Sequence, residues 1–251
     1  VFTNLTQDHL DYHGTMKDYL HAKSLLFSQL GNTYDSNHRK AAVINNDDAV
    51  ASELKKATAV SVLTYGIDQQ ADIQAKAIQI TSKGSNFDLV TPDGTYKVSM
   101  KLVGKFSVYN VLAAACACHL NGVDWETIVK AIGEIEGVAG RFETVEAGQS
   151  FSVIVDYSHT PDSLENALLT IKEFVKGRII TVIGCGGDRD KTKRPLMAQI
   201  AVKYSDLAIF TSDNPRTEDP EQILKDMEAG VSSGSYIQIT NRREAIKHAI
   251  E

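Results

Sequence analysis

The sequence predicts an α/β protein of two domains, and three observations carry that reading. After residue 140, short apolar runs alternate strictly with helix-length segments, the order that builds a parallel sheet covered by helices. Before it, residues 71–102 alternate polar with apolar around Ser82-Lys83-Gly84-Ser85 and Pro92-Asp93-Gly94, which is antiparallel hairpin chemistry. Between them the pattern resets at Glu136-Gly137-Val138-Ala139-Gly140-Arg141, so we divide the chain into residues 1–139 and 140–251. A chain of 251 residues accommodates two domains of ordinary size.

The elements follow in order. Val1-Phe2-Thr3-Asn4 reads as the end of a strand running into a loop. Tyr19, Leu20, Ala22, Leu25, Leu26 and Phe27 fall mainly at helical spacing, which predicts a helix over 17–30. Residues 41–44 are a short buried strand ended by Asn45-Asn46-Asp47-Asp48, 49–58 a helix and 60–65 a strand. An Ala-rich helix over 108–121 packs closely on something, and a helix over 124–132 takes Asp124 as its N-cap. Beyond the boundary, strands are expected at 151–156, 178–183, 207–211 and 236–239, and helices at 161–175, 195–204, 220–229 and 241–251. Both chain ends read as cut from a longer protein.

Composition narrows the classes. Hydrophobic residues make 43% and charged residues 23%, an ordinary globular balance that excludes disorder and a disulfide scaffold. Twenty-six basic against 32 acidic residues leave a net charge of −6, the wrong sign for a nonspecific nucleic-acid binder. No apolar run reaches the ~18 residues of a membrane helix. Three cysteines cannot all pair, which suits a reducing cytoplasm.

Four constellations offer chemistry. Asp8-His9-Leu10-Asp11-Tyr12-His13 gathers two His and two Asp, enough for one or two Mg²⁺ ligands beside phosphates and water; the same residues also suit a helix-capping loop. Lys23 lies on a helix with an apolar face, where a lysine ordinarily snorkels to solvent. Gly184-Cys185-Gly186-Gly187-Asp188-Arg189-Asp190, after a strand and before Pro195, suits an anion, or is a solvated charged turn. It is neither a Walker A loop nor a dinucleotide fingerprint. Asp213-Asn214-Pro215-Arg216 offers an acceptor, an amide and a cation between two prolines, a set able to hold a zwitterion, or a structural Asx turn. Ligands of open parallel sheets sit at the carboxyl ends of strands, so Asp156-Tyr157-Ser158-His159-Thr160-Pro161 and these last two loops are expected to line one rim.

These segments, with Ala22-Lys23, Val43-Ile44-Asn45-Asn46-Asp47-Asp48, Gly104-Lys105-Phe106-Ser107-Val108-Tyr109-Asn110 and Gly140-Arg141-Phe142-Glu143, come in the order of a Mur ligase. The whole chain resembles that family, with its diaminopimelate-adding branch nearest in pattern. The resemblance implies part of a central ATPase domain followed by a Rossmann-like C-terminal domain with a mainly parallel sheet. It implies a cytoplasmic, monomeric enzyme of peptidoglycan synthesis that uses ATP and Mg²⁺. Its substrates would be UDP-MurNAc-L-Ala-D-Glu and meso-diaminopimelate, joined through an acyl phosphate, with neither nucleic acid nor membrane insertion involved.

Carried over by position, His9 matches a Mg²⁺ ligand, and Lys23 a lysine that becomes N-carboxylated and so turns into an oxygen donor. Asn110, Arg141, Asp156 and His159 match nucleotide contacts. Arg189, Asp213, Asn214, Pro215 and Arg216 match the amino-acid pocket. Nucleotide groups from both domains imply a hinge at 137–141. The family's Gly-Thr-x-Gly-Lys-Thr phosphate loop, its UDP-sugar domain and its Gly-Lys-Gly-His-Glu segment are not in this sequence, so a piece inactive by itself is expected. Ser107 stands where the family usually has Asn. A lysine-adding Mur ligase and a non-catalytic nucleotide- or peptide-binding module are the other readings, with folylpolyglutamate synthetase a more distant relative. The cation at Arg216 favours a substrate with an extra carboxylate.

Overall fold

The computed structural model describes residues 1–7, 9–32, 40–81 and 83–251, with backbone alone at Asp11. Asp8, Ser82 and the Asp11 side chain, named above, lie outside the described residues. The chain forms two compact units, Val1–Thr6 with Thr15–Glu143, and Gln7–Gly14 with Thr144–Glu251.

In the first unit a five-stranded sheet runs in the order β1 (Ala41–Asn45), β2 (Ser61–Gly66), β3 (Ile73–Thr81), β4 (Gly84–Thr91), β5 (Gly94–Met100). The first three strands are parallel, and β4 and β5 add on as the expected antiparallel hairpins. Phe2 makes an isolated parallel bridge to Ile44, so the opening residues lie alongside β1 without forming a strand among the described residues. The Asn45-Asn46-Asp47-Asp48 turn anchors that segment: the Asn45 side-chain amide donates to the Thr3 carbonyl at 2.8 Å, and Asp48 accepts from the Leu5 N–H at 2.8 Å.

Among the described residues, the helices of this unit are α2 (Met16–Gln29), α3 (Ala51–Ala57), α4 (Lys105–Leu120) and α5 (Trp125–Glu134), while the short α1 (Leu10–His13) counts with the second unit. Helix α4 is buried along Val108, Val111, Leu112, Ala115 and Cys116, against Tyr65, Ile73, Phe87 and Leu89 of the sheet. Small side chains let it lie close, as the Ala-rich stretch suggests. It starts at Lys105 rather than near 108, because Gly104 caps the backbone and the buried Ser107 hydroxyl donates to the Val103 carbonyl at 2.8 Å. Asp124 caps α5 by accepting the Thr127 N–H at 2.8 Å.

In the second unit β8 (Ile180–Ile183), β9 (Leu207–Phe210) and β10 (Tyr236–Gln238) form a parallel sheet in the order β10-β9-β8. Helices α6 (Pro161–Phe174), α7 (Lys193–Tyr204), α8 (Pro220–Glu228) and α9 (Arg242–Ile250) alternate with the strands. Leu164, Leu168, Ile183, Met197, Phe210, Leu224 and Met227 make its core. Proline at the first turn and a side-chain cap, Thr160 or Asp219, start α6 and α8.

One expectation is corrected here. The strand read at 151–156 does not join this sheet: β7 (Val153–Val155) pairs with β6 (Glu143–Val145) in a sheet of two. Their connection is short, and the Gln149 side chain ties it down by bonding the Val145 carbonyl and the Ala147 N–H. Strand β6 is exposed throughout and carries no apolar alternation, so no pattern announces it.

Candidate functional site

Parallel β8 and β9 end side by side, so the loops leaving their carboxyl ends lie against each other. Glycine decides how closely. A Cβ on Gly187 would sit 1.9 Å from the Pro215 carbonyl oxygen, and one on Gly184 2.3 Å from that of Thr211. With hydrogen there instead, the Gly187 N–H donates to the Asn214 carbonyl at 2.9 Å. The Arg216 guanidinium donates back to the Gly187 carbonyl. The Asp188 carboxylate accepts the Thr217 hydroxyl at 2.8 Å and its N–H at 3.2 Å. The Asp188 N–H donates to Glu218 at 2.6 Å. The glycine loop therefore spends the Gly187 and Asp188 N–H groups on its neighbour, and Arg189 and Arg216 add two cations to the same surface.

Arg189, Asp213, Asn214 and Arg216 are exposed on this joined surface, and Pro215 is half-buried between them. Asp188 and Arg216 both hold positive φ, 50° and 51°, a conformation costly for residues with a Cβ and imposed by the surrounding bonds. Beneath lies a network that the sequence analysis missed. Arg194, 1% exposed, forks onto Glu218 at 2.7 and 3.0 Å and reaches Asp226 at 2.8 Å. Arg194, the Asp188 N–H and Lys191 pull the Glu218 carboxyl down to about 2. A signal for this existed: Arg194 falls on the stripe of Met197, Ala198 and Ala201, which are all buried. A charge on an apolar stripe implies a buried partner.

The other expected residues stand elsewhere. Asp156 and His159 follow β7, on the two-stranded sheet, so they do not extend the hydrogen-bonded rim of β8 and β9. Asp156 accepts the Ser158 N–H at 2.9 Å; His159 Nδ1 is 3.0 Å from the Tyr157 carbonyl, with the two rings edge to face. Asn110 is exposed on α4. Arg141 is exposed in a turn where its N–H donates to the Val138 carbonyl at 3.0 Å and the next residue, Phe142, packs on Phe106. Nearby in sequence to Asn110, the Tyr109 hydroxyl donates to Asp47 at 2.7 Å. Burial pushes the Asp47 carboxyl up, but the N–H groups of Ile67, Asp68 and Gln69 together with Tyr109 outweigh it and hold it below the usual range.

His9 is exposed, has φ 55° and opens α1 in the second unit. Lys23 is half-buried on α2 in the first unit, its Nζ 4.9 Å from the centre of the Tyr19 ring. Among the described residues, no group of three His, Cys, Asp or Glu side chains gathers as a metal site.

Residues 1–118 match the family model described as Mur ligase middle domain, and residues 140–251 that described as Mur ligase, glutamate ligase domain. The chain belongs to the Mur ligase family. This Mur ligase chain is 59% identical over 252 aligned residues to the UDP-N-acetylmuramoyl-L-alanyl-D-glutamate–2,6-diaminopimelate ligase of Geobacillus thermodenitrificans, covering 100% of this chain and 52% of that protein. A solved structure of a ligase of the same name is 40% identical with a TM-score of 0.61, over 98% of this chain and 50% of the other. MurF from Acinetobacter baumannii, at 21% identity and TM-score 0.80 over 99% of this chain and 51% of its own, shares the fold. The chain spans about half the length of the curated relatives it matches.

Proposed function

We propose that this chain supplies the nucleotide-binding and amino-acid-binding parts of a cytoplasmic ligase that joins meso-diaminopimelate to UDP-MurNAc-L-Ala-D-Glu in peptidoglycan precursor synthesis. The observation that carries the reading is the joined pair of loops after β8 and β9, which exposes Arg189, Asp213, Asn214 and Arg216 on one surface. A zwitterion with a distant second carboxylate needs that mixture: an acceptor for ammonium and planar cations for carboxylates. The 59% identity to a diaminopimelate-adding ligase supports it.

The reaction would pass a phosphoryl group from ATP to the glutamate carboxylate, after which the incoming amine displaces phosphate from the acyl phosphate. Asn110 would contact the base, Arg141 and Asp156 the ribose and phosphates, and His159 the base edge. His9 and Lys23 suit Mg²⁺ only in part. The imidazole is one ligand, and the Lys23 ammonium is a donor that becomes an oxygen ligand only once carboxylated. Mg²⁺ usually keeps waters and takes phosphate oxygens beside one or two protein ligands. When bound, the ion would neutralise phosphate charge during transfer.

The test is substitution of residues 1–251 for the matching stretch of the Geobacillus ligase, followed by assay of ATP-dependent amide formation. Diaminopimelate should be used and lysine used poorly. Arg216→Ala should cost about tenfold or more in use of diaminopimelate, the loss expected when one partner of a charged pair is removed. The KM for ATP should stay near its starting value. Equal loss toward both amino acids would make Arg216 structural and remove the specificity argument.

A further inference from the structure

We propose that Arg194 is a positioning residue for the amino-acid pocket: it sets the register between the loops after β8 and β9, and so the spacing of Arg189, Asn214 and Arg216. This rests on the reading above that those loops hold the amino acid. The geometry supplies the argument. Its guanidinium touches three pieces of backbone or side chain that must keep step. One is the Gly186 carbonyl of the first loop, at 3.3 Å from Nη2. The second is Glu218 at the end of the other loop, held by both Nη atoms. The third is Asp226 on α8, at 2.8 Å from Nη1.

Glu218 in turn accepts the Asp188 N–H and the Lys191 ammonium, so one buried cation governs a carboxylate that pins both loops. A planar fork with fixed donor directions does this, and a point charge does not. Arg194 itself is fully buried and cannot touch substrate. Hydrophobic packing alone would not require it, since a methionine fills the same stripe. Its burial beneath an exposed polar surface is explained by what it holds above it.

The decisive variant is Arg194→Lys, which keeps the charge and loses the fork, with Arg194→Met as the uncharged comparison. In the chain itself, hydrogen exchange is followed at the Gly187, Asp188 and Thr217 N–H groups, which donate across the loops, and at Ala208 and Thr211 in the sheet. Arg194→Lys should speed the loop amides by about tenfold and leave the sheet amides unchanged, as expected for a local opening. In the substituted Geobacillus ligase it should raise the KM for diaminopimelate by about tenfold with the KM for ATP within about twofold. Added to Arg216→Ala, it should cost less than it does alone, because part of its effect passes through the position of Arg216.

Unchanged loop amides would overturn the proposal. So would equal acceleration of loop and sheet amides with both KM values rising, which is a general loss of fold. Faster loop amides in a ligase that never used diaminopimelate would leave the positioning role standing and bring down the substrate reading instead.

Discussion

Glu218 shows how much one side chain depends on its neighbours. Its carboxyl falls from an ordinary 4.5 to about 2 because Arg194, the Asp188 N–H and Lys191 all favour the ionised form. A carboxyl depressed in the folded state adds stability in full above its unfolded value, and loses it as pH falls from about 4.5 toward about 2. In urea titrations the stability gap between the chain and Glu218→Gln should be widest near neutral pH. It should narrow steadily as the solution is acidified through that window. A gap independent of pH would mean that Glu218 is not the titrating group. Arg216 also leans on its neighbours: it holds a positive φ beside its guanidinium bond to the Gly187 carbonyl and the Gly187 N–H bond to the Asn214 carbonyl.

At the scale of elements, the two loops behave as one object because glycine removes the atoms that would separate them. Gly187→Ala should cost roughly 1–3 kcal/mol, as overpacking does, since a Cβ 1.9 Å from the Pro215 oxygen forces backbone apart. Gly177→Ala is the contrast. Nothing lies within 4 Å of its Cβ, so the change should be neutral or stabilising by about 0.4–1 kcal/mol through the unfolded chain. Urea midpoints of the second unit decide both, and equal effects would refute the contact argument.

The whole molecule has separate cores. Leu112 lies in the first unit among Val108, Phe87 and Leu89, and Leu224 in the second among Met197, Phe210 and Met227, both 0% exposed. Truncation of either to alanine should cost about 2–5 kcal/mol. With no shared partners the two losses should add within about 0.5 kcal/mol. Hydrogen exchange resolved by residue should show Leu112→Ala loosening amides of the first unit, and Leu224→Ala those of the second. Coupled loss across both would contradict two independent cores. Among the described residues, no helix is long and apolar enough to cross a membrane.

The sequence by itself determined the α/β class, the hairpins, most of the helices and strands and the Asp124 cap, because periodicity, turn chemistry and N-caps are local. It also marked the two loops, since glycine and proline announce special backbone and clustered charge announces polar surface. Only the tertiary structure decided the rest. The pairing of β7 with the nearby β6 instead of the more distant β8 is a choice of partner that three residues of Val-Ile-Val do not encode. The role of Gly187 depends on Pro215, which the fold brings to its Cβ position from the next strand's loop. Arg194, Glu218 and Asp226 come from a helix, a loop and another helix, so their meeting is a product of how α7 and α8 stack on the sheet. A buried charge can be suspected from its place on an apolar stripe, but its partners are chosen in three dimensions, where desolvation leaves it no stable alternative to being paired.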